Sequence, residues 1–340
     1  MNRIKPEAMA PFFRMVVLLL VLLWSGCQNS TLRNGEIRKT DFISGGHDSP
    51  ASDHQLSILD DYYTFIIACD LGRNGYYDQQ IVAEMMGEAA NIAGAEFVAA
   101  LGDVHHYMGI QSVNDPLWLT NYELVYKHPE LMIPWFPVLG NHEYQGNTDA
   151  VIAYSGVSRR WQMPGRYYSK VFDVTDSTDV LLLFIDTTPM VDLFRYNDEH
   201  PDALKQSVED QLSWIDSTLG NSREKWKIVM GHHPIYAGTT KDESERTDLQ
   251  RRLLPILEKH RVDVYYSGHI HNFQHINTSG SSIDYFVISS ASQSRKVVPL
   301  EGAVFTSSAT GFALCSISDT VLITTFVDNT GNIIYQHQGK

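Results

Sequence analysis

Five short stretches of this chain place metal-ligating side chains directly after apolar runs. They read Ile66-Ile67-Ala68-Cys69-Asp70, Val98-Ala99-Ala100-Leu101-Gly102-Asp103, Pro137-Val138-Leu139-Gly140-Asn141-His142-Glu143, Ile228-Val229-Met230-Gly231-His232 and Val264-Tyr265-Tyr266-Ser267-Gly268-His269-Ile270-His271. If neighbouring runs end together, Asp70, Asp103, Asn141, His232, His269 and His271 converge. Two carboxylates, an amide oxygen and three imidazoles cannot be buried side by side uncompensated. Divalent cations resolve that conflict, and this mixed donor set suits iron, zinc or manganese better than calcium or magnesium. Singly, each piece is bland: an Asp after a strand is usually a turn or cap, and Gly-Asn-His is usually a turn. Five such clusters in one chain argue together for a metal site. In four of them a Gly immediately precedes the polar residue, which lets the backbone turn sharply out of a sheet.

These clusters need strands that end at a common edge, and ligands of open α/β sheets gather beyond the carboxyl ends of strands. Apolar runs predict strands at Tyr63–Ala68, Phe97–Leu101, Trp135–Leu139, Val180–Ile185, Lys227–Met230 and Val262–Tyr266. Helical spacing predicts helices at Gln79–Ala93, Asp115–Tyr126, Ala203–Leu219 and Leu249–Lys259. A strand-rich tail follows: Ser282–Ile288, Phe312–Ile317, Val321–Phe326 and Ile333–Gln336. The alternation predicts α/β layering, with the tail extending the sheet or adding a second. No repeat or domain-scale linker appears after residue 60, so 61–340 reads as one domain. Pro189–His200 has mixed charge and reads as a solvated loop, from a position that could overhang the site.

The first 27 residues read as an export signal. Arg3, Lys5 and Arg14 precede the ten-residue apolar run Met15–Trp24, too short to span a membrane. The run ends at Ser25-Gly26-Cys27, which resembles a bacterial lipoprotein signal and implies acylation of Cys27, although Trp24 departs from that pattern. Residues 28–60 are polar and read as a flexible tether. Together these predict an exported, periplasmic or cell-surface protein held to the membrane by lipid. Of 340 residues, 40 are acidic and 26 basic, a net charge of −14 that disfavours nucleic-acid binding. The chain has three Cys. That is too few for a zinc finger or iron–sulfur cluster, and Cys69 and Cys315 are expected as buried thiols.

The ordered motifs Asp70–Gly72, Gly102–His106, Gly140–Glu143, Gly231–Pro234 and Gly268–His271 resemble those of the calcineurin-like metallophosphoesterases. Between them, Gly109–Asp115, Pro134-Trp135, Ile152–Ser155 and Arg160-Trp161 are similar to the small tartrate-resistant type of purple acid phosphatase. The resemblance runs from about residue 62 to the end. It implies a two-sheet β-sandwich flanked by helices, and a dinuclear metal centre that hydrolyses phosphate monoesters by attack of a metal-bound hydroxide. By position it implies Asp103 as bridging carboxylate, Asp70 and His271 on the first metal, and Asn141, His232 and His269 on the second. His142 would stabilise charge or donate a proton beside the phosphate, with Glu143 orienting its ring.

Two positions depart from the family. Purple enzymes have a ligating Tyr three residues after the bridging Asp; this chain has His106 there, with Tyr107 next in line. Nine residues beyond His232, where the family has another His, stands Lys241, a cation that could bind phosphate. Charge then argues for the metals. A tyrosinate, two Asp and a hydroxide suit a trivalent–divalent pair; with neutral His106 as ligand instead, two divalent ions (Fe, Mn or Zn) leave the same net charge. The expected partner is a phosphorylated small molecule or phosphoprotein, acted on by a monomer. Two alternatives stay open: a phosphodiesterase or nucleotide phosphatase on the same metals, and a non-catalytic metal- or ligand-binding lipoprotein.

Overall fold

The computed structural model describes residues 62–339; the segments read as export signal and tether, with Cys27, lie outside them. Two mixed sheets face each other. The first has six strands in the order β13-β12-β11-β1-β2-β3 and the second seven, in the order β10-β8-β9-β7-β6-β5-β4. In the first sheet β1 (Tyr63–Ala68), β2 (Val98–Ala100) and β3 (Trp135–Pro137) run parallel, paired through Ile66↔Val98 and Val98↔Trp135. β11 (Gly311–Ile317), β12 (Leu322–Asp328) and β13 (Ile333–Gln338) extend that sheet antiparallel. In the second, β5 (Thr178–Phe184), β6 (Trp226–Met230), β7 (Val264–Ser267) and β9 (Asp284–Val287) are parallel. β4 (Tyr168–Thr175), β8 (Phe273–Ile276) and β10 (Ala303–Ser307) complete it. The tail therefore does both things expected of it, adding to each sheet.

Strand alternation builds the layers. On β5, Val180, Leu182 and Phe184 join the core shared with the first sheet, where Phe136 meets Phe184 at 5.8 Å between ring centroids. Leu181, Leu183 and Ile185 point the other way, into a second core with Ile215 and Leu219 of α4 (Val208–Asn221), Leu249 of α5 (Ser244–Arg252) and Leu257 of α6 (Leu254–Lys259). Helix α1 (Gln79–Ala93) buries Val82 and Met86 in the first core. The shorter α2 (Thr148–Ala153) and α3 (Asp192–Arg195) lie in connections. Cys69 and Cys315 are buried free thiols.

Some expectations need correction. The helix foreseen at Asp115–Tyr126 is a single π-helical turn, Leu119–Glu123. Trp118, itself in helical conformation just before that turn, stacks on Tyr154 with centroids 3.5 Å apart. Leu249–Lys259 is divided between α5 and α6, with Pro255 in the first turn of the latter, where a missing N–H costs nothing. Ala203–Leu219 starts late, at the Ser207 cap, whose hydroxyl accepts from the Asp210 N–H at 3.2 Å.

Candidate metal centre

Because β1, β2 and β3 are parallel neighbours, the loops carrying Asp70, Asp103 and Asn141 leave the first sheet at one edge; β6 and β7 deliver His232, His269 and His271 from the second. The six meet, all buried. Asp103 Oδ2 lies 3.2 Å from His232 Nε2 and 3.5 Å from His106 Nε2. Asp70 Oδ1 lies 3.0 Å from His271 Nε2, while its Oδ2 accepts the His269 N–H at 2.9 Å. His269 Nδ1 is 3.2 Å from His232 Nε2. Donor atoms of Asp70, His106 and His271 cluster within 4.8 Å of one another, as do those of Asp70, Asp103 and His232.

The backbone is contorted to achieve this. Asp70, Asp103, His269 and His271 have φ of 50°, 52°, 71° and 62°, the left-handed region that costs a non-glycine residue of order 1–3 kcal/mol. Asp70 is held by its carbonyl, which accepts from the Ser290 and Ser292 hydroxyls at 2.9 and 2.8 Å. Of the preceding glycines, Gly102 turns at φ 86°. Gly140 serves another purpose: a Cβ there would lie 2.6 Å from the Asp103 amide nitrogen, so Gly admits close approach of the two loops.

Carbonyl groups aim the rings. His232 Nδ1 donates to Leu101 at 2.7 Å, His271 Nδ1 to Gln293 at 2.6 Å and His106 Nδ1 to Gly72 at 3.0 Å. A carbonyl only accepts, so each Nδ1 carries a proton and each ring turns Nε2, the atom that would ligate an ion, toward the centre. His142 Nδ1 is likewise 2.6 Å from the Tyr107 carbonyl and 3.0 Å from Gln145 Oε1, and its Nε2 faces Asp103 Oδ2 at 4.0 Å. Glu143 does not orient that ring, contrary to expectation. Its carboxylate accepts the backbone N–H groups of Asp103 (2.8 Å), Gly140 (2.7 Å) and His105 (3.1 Å). Its side chain follows the loop inward, whereas His142 points out toward Tyr107.

The Tyr107 ring is 60% exposed and lies under the Arg73 guanidinium at 4.6 Å, whereas His106 is buried against both carboxylates. Burial pushes the His106 imidazole down to about 4 despite Asp103, leaving it neutral. Lys241, in the loop before α5, is depressed by burial but feels Glu245, Asp103 and Asp70.

Sequence reasoning missed several contributors. His233 joins His232 and His269 in a third donor group, with Nδ1 2.9 Å from Thr187 Oγ1. Glu245 on α5 lies 3.0 Å from His269 Nε2. Phe194 sits with its ring 4.8 Å from His233 and 5.9 Å from His269, so the segment 189–200 does cover the site. An open pocket of 420 Å³, lined by Arg73, Asn74, Tyr76, Tyr77, His106 and Tyr107, adjoins it. His233 had a signal, its neighbour His232, and Phe194 lies in the segment expected to overhang the site; Glu245 had none.

The residues fit a pair of cations. Asn141 Oδ1 is buried without a hydrogen-bond partner, and Asp70 Oδ1 and His106 Nε2 face only other ligating atoms, of His271 at 3.0 Å and Asp103 at 3.5 Å. Burial should depress His232, yet Asp103 and Asp70 push it up to about 9. Burial likewise opposes ionisation of Asp103, and His232 and His142 hold it well below the carboxylate range all the same. The surrounding carboxylates thus favour positive charge here, enough to offset the burial of the His232 ring.

Parallel strands of two facing sheets that deliver Asp, Asn and His to one edge define a metallophosphoesterase-type protein. The chain belongs to the calcineurin-like phosphoesterase family, whose model matches residues 54–273. It is 32% identical over 285 residues to Purple acid phosphatase 4 of Arabidopsis thaliana, covering 80% of this chain and 82% of that one. It is 29% identical over 270 residues to Tartrate-resistant acid phosphatase type 5 of Homo sapiens, covering 75% and 82%. Among solved structures, GAP50, the anchor in the inner membrane complex of Plasmodium, superposes with a TM-score of 0.70 at 26% identity, over 82% of this chain and 89% of that one. Purple acid phosphatase PPD1 of yellow lupin shares the fold, with a TM-score of 0.59 at 13% identity over 82% and 54%.

Proposed function

We propose that the protein is a phosphatase that hydrolyses phosphate monoesters at a pair of divalent ions. The observation that carries this reading is the convergence of seven donor residues beside a histidine that is not one of them. Asp70, His106 and His271 would hold one ion and Asn141, His232 and His269 the other, with Asp103 shared. When bound, such ions act as Lewis acids on a phosphoryl group and lower the pKa of water. His142 holds a proton on Nδ1 toward Tyr107, which leaves Nε2 to exchange a proton with the ester or leaving oxygen. Lys241 adds positive charge for an incoming phosphate, and Phe194 limits water above His269. The tyrosine-lined pocket beside His106 receives the leaving group of a small phosphorylated molecule or phosphoprotein.

Turnover of p-nitrophenyl phosphate against its bis ester, with and without chelator, tests the reading. The monoester should be hydrolysed, chelator should abolish this, and Mn²⁺, Zn²⁺ or Fe²⁺ should restore it. Preference for the bis ester would make the protein a diesterase. A second, non-catalytic reading draws on the likeness to the GAP50 anchor, and failure to turn over either ester with metals bound would favour it.

The export reading rests on the N-terminal sequence pattern: a monomer on the periplasmic or cell surface, lipidated at Cys27. Cys27→Ser should release active protein from the membrane fraction, and unchanged membrane association would overturn it.

A further inference from the structure

At the far end of the sandwich a second cluster of ligating side chains has no part in the chemistry above. His275 comes from β8, Asp284 from the start of β9 and His337 from β13, the edge strand of the other sheet. His275 Nε2 lies 3.2 Å from Asp284 Oδ1, and His337 Nε2 lies 3.1 Å from Asp284 Oδ2. The three donor atoms fall within 4.8 Å of one another. We propose that His275, Asp284 and His337 form a separate structural site for a divalent transition ion, of which Zn²⁺ is the best match.

Three features support it. First, the donor set of two imidazoles and one carboxylate is one that zinc takes readily. A tetrahedron with bonds of about 2.0–2.1 Å has edges of roughly 3.3–3.4 Å; each imidazole stands near that distance from one oxygen of Asp284, and a small turn of the carboxylate would present one oxygen to an ion held by both rings. Second, the outer contacts are those of a ligating histidine. His275 Nδ1 is 2.7 Å from the Tyr335 hydroxyl, and its ring stacks on Phe286 at 4.3 Å and 20°. These fix the ring so that Nε2 faces Asp284, the role outer partners play at metal centres. Third, the site is part open. The side chain of His275 is buried, while those of Asp284 and His337 are 19% and 27% exposed, leaving an approach for the ion and a water as fourth ligand. The two imidazoles favour the anionic form of Asp284 and hold its carboxyl below the usual range although burial opposes this.

The consequence is mechanical. β13 pairs in the first sheet through Thr324↔His337, while β8 and β9 belong to the second. An ion here would clip the C-terminal strand of one sheet to the other, and binding to the folded state alone would raise the melting temperature with ion concentration. The competing occupant is a pair of protons, with both Nε2–H groups donating to Asp284.

The test uses Co²⁺ on the full chain. Asp103→Ala removes a carboxylate from the phosphatase centre, so the clip can be counted apart from it. In that background the expected result is one equivalent of Co²⁺ with the intense visible bands of four-coordinate geometry. Those bands should vanish in Asp103→Ala/His337→Gln, where Gln still donates to Asp284 but ligates poorly. In the otherwise wild-type chain, His337→Gln should keep its turnover, bind one ion fewer and lose the rise in melting temperature with Zn²⁺. If His337→Gln fails to fold in chelator, by circular dichroism, Asp284→Asn is read in its place. Equal Co²⁺ binding with and without the substitution, or no four-coordinate bands at all, would overturn the proposal in favour of the proton-bridged cluster. Neither result depends on whether the first centre is a phosphatase.

Discussion

The carboxylate of Glu143 reaches across to the backbone N–H of Asp103 at 2.8 Å, tying the loop after β3 to the loop after β2. With its bonds to Gly140 and His105, this one side chain satisfies three buried donors. It therefore sets where the shared carboxylate stands without touching the metal centre's open face. Glu143→Gln replaces an acceptor oxygen by an amide that points N–H at N–H. Metal affinity should fall by about 10–100-fold, read by competition with a chromophoric chelator. Unchanged affinity would mean that the two loops hold themselves.

Asp103 and His142 should separate binding from catalysis. Asp103→Ala or Asn141→Ala removes a central donor, and turnover and the ions of this centre should disappear, leaving at most the one ion of the His275 site. His142→Ala should keep the metals and lose about 10²–10⁴ in kcat, the range for a positioned acid or base. Loss of the metals from His142→Ala would show that its imidazole is a ligand.

Iron loading tests the charge argument at His106. This neutral ring stands where purple enzymes have a phenolate, and Tyr107 is turned to the surface. The iron-loaded protein should be nearly colourless, and His106→Tyr should acquire a visible phenolate-to-iron band. A strong band in the unsubstituted protein that disappears in Tyr107→Phe would reverse the assignment.

Asp186, at the end of β5, gives a pH dependence unconnected with metals. Burial pushes its carboxyl up to about 7, although Tyr144 and Arg166 pull the other way. The unfolded chain releases this proton near 4, so between those values the folded state binds more protons. Its contribution to stability is complete below pH 4 and is lost as pH rises through 7. Asp186→Asn cannot ionise. In chelator, its unfolding free energy relative to the wild type should climb from pH 4 to pH 8. The climb is at most about 1.4 kcal/mol for each tenfold difference in proton affinity between the folded and unfolded chain. A difference that stays flat across that range would show that Asp186 does not titrate there.

Much of the centre was legible in the sequence because its donors sit two to four residues past strand ends. An apolar run, a Gly and a polar residue form a local signal, and parallel strands convert five local signals into one site. The same locality made α1 and most of the strands readable from periodicity, while β4, β8 and β10 were not foreseen. Tertiary structure decided what depends on distant partners. Glu143 and Asp103 are 40 residues apart and Glu245 and His269 are 24 apart, so nothing in their spacing announces either pair. Residues 115–126 are spaced for an ordinary helix but wind as a π-helical turn at Leu119–Glu123, beside the stacked rings of Trp118 and Tyr154. His275, Asp284 and His337 look like scattered surface residues until the two sheets are laid together. A strand's pattern records which of its faces is buried, but which side chain meets it from the other sheet is set only when the sandwich closes.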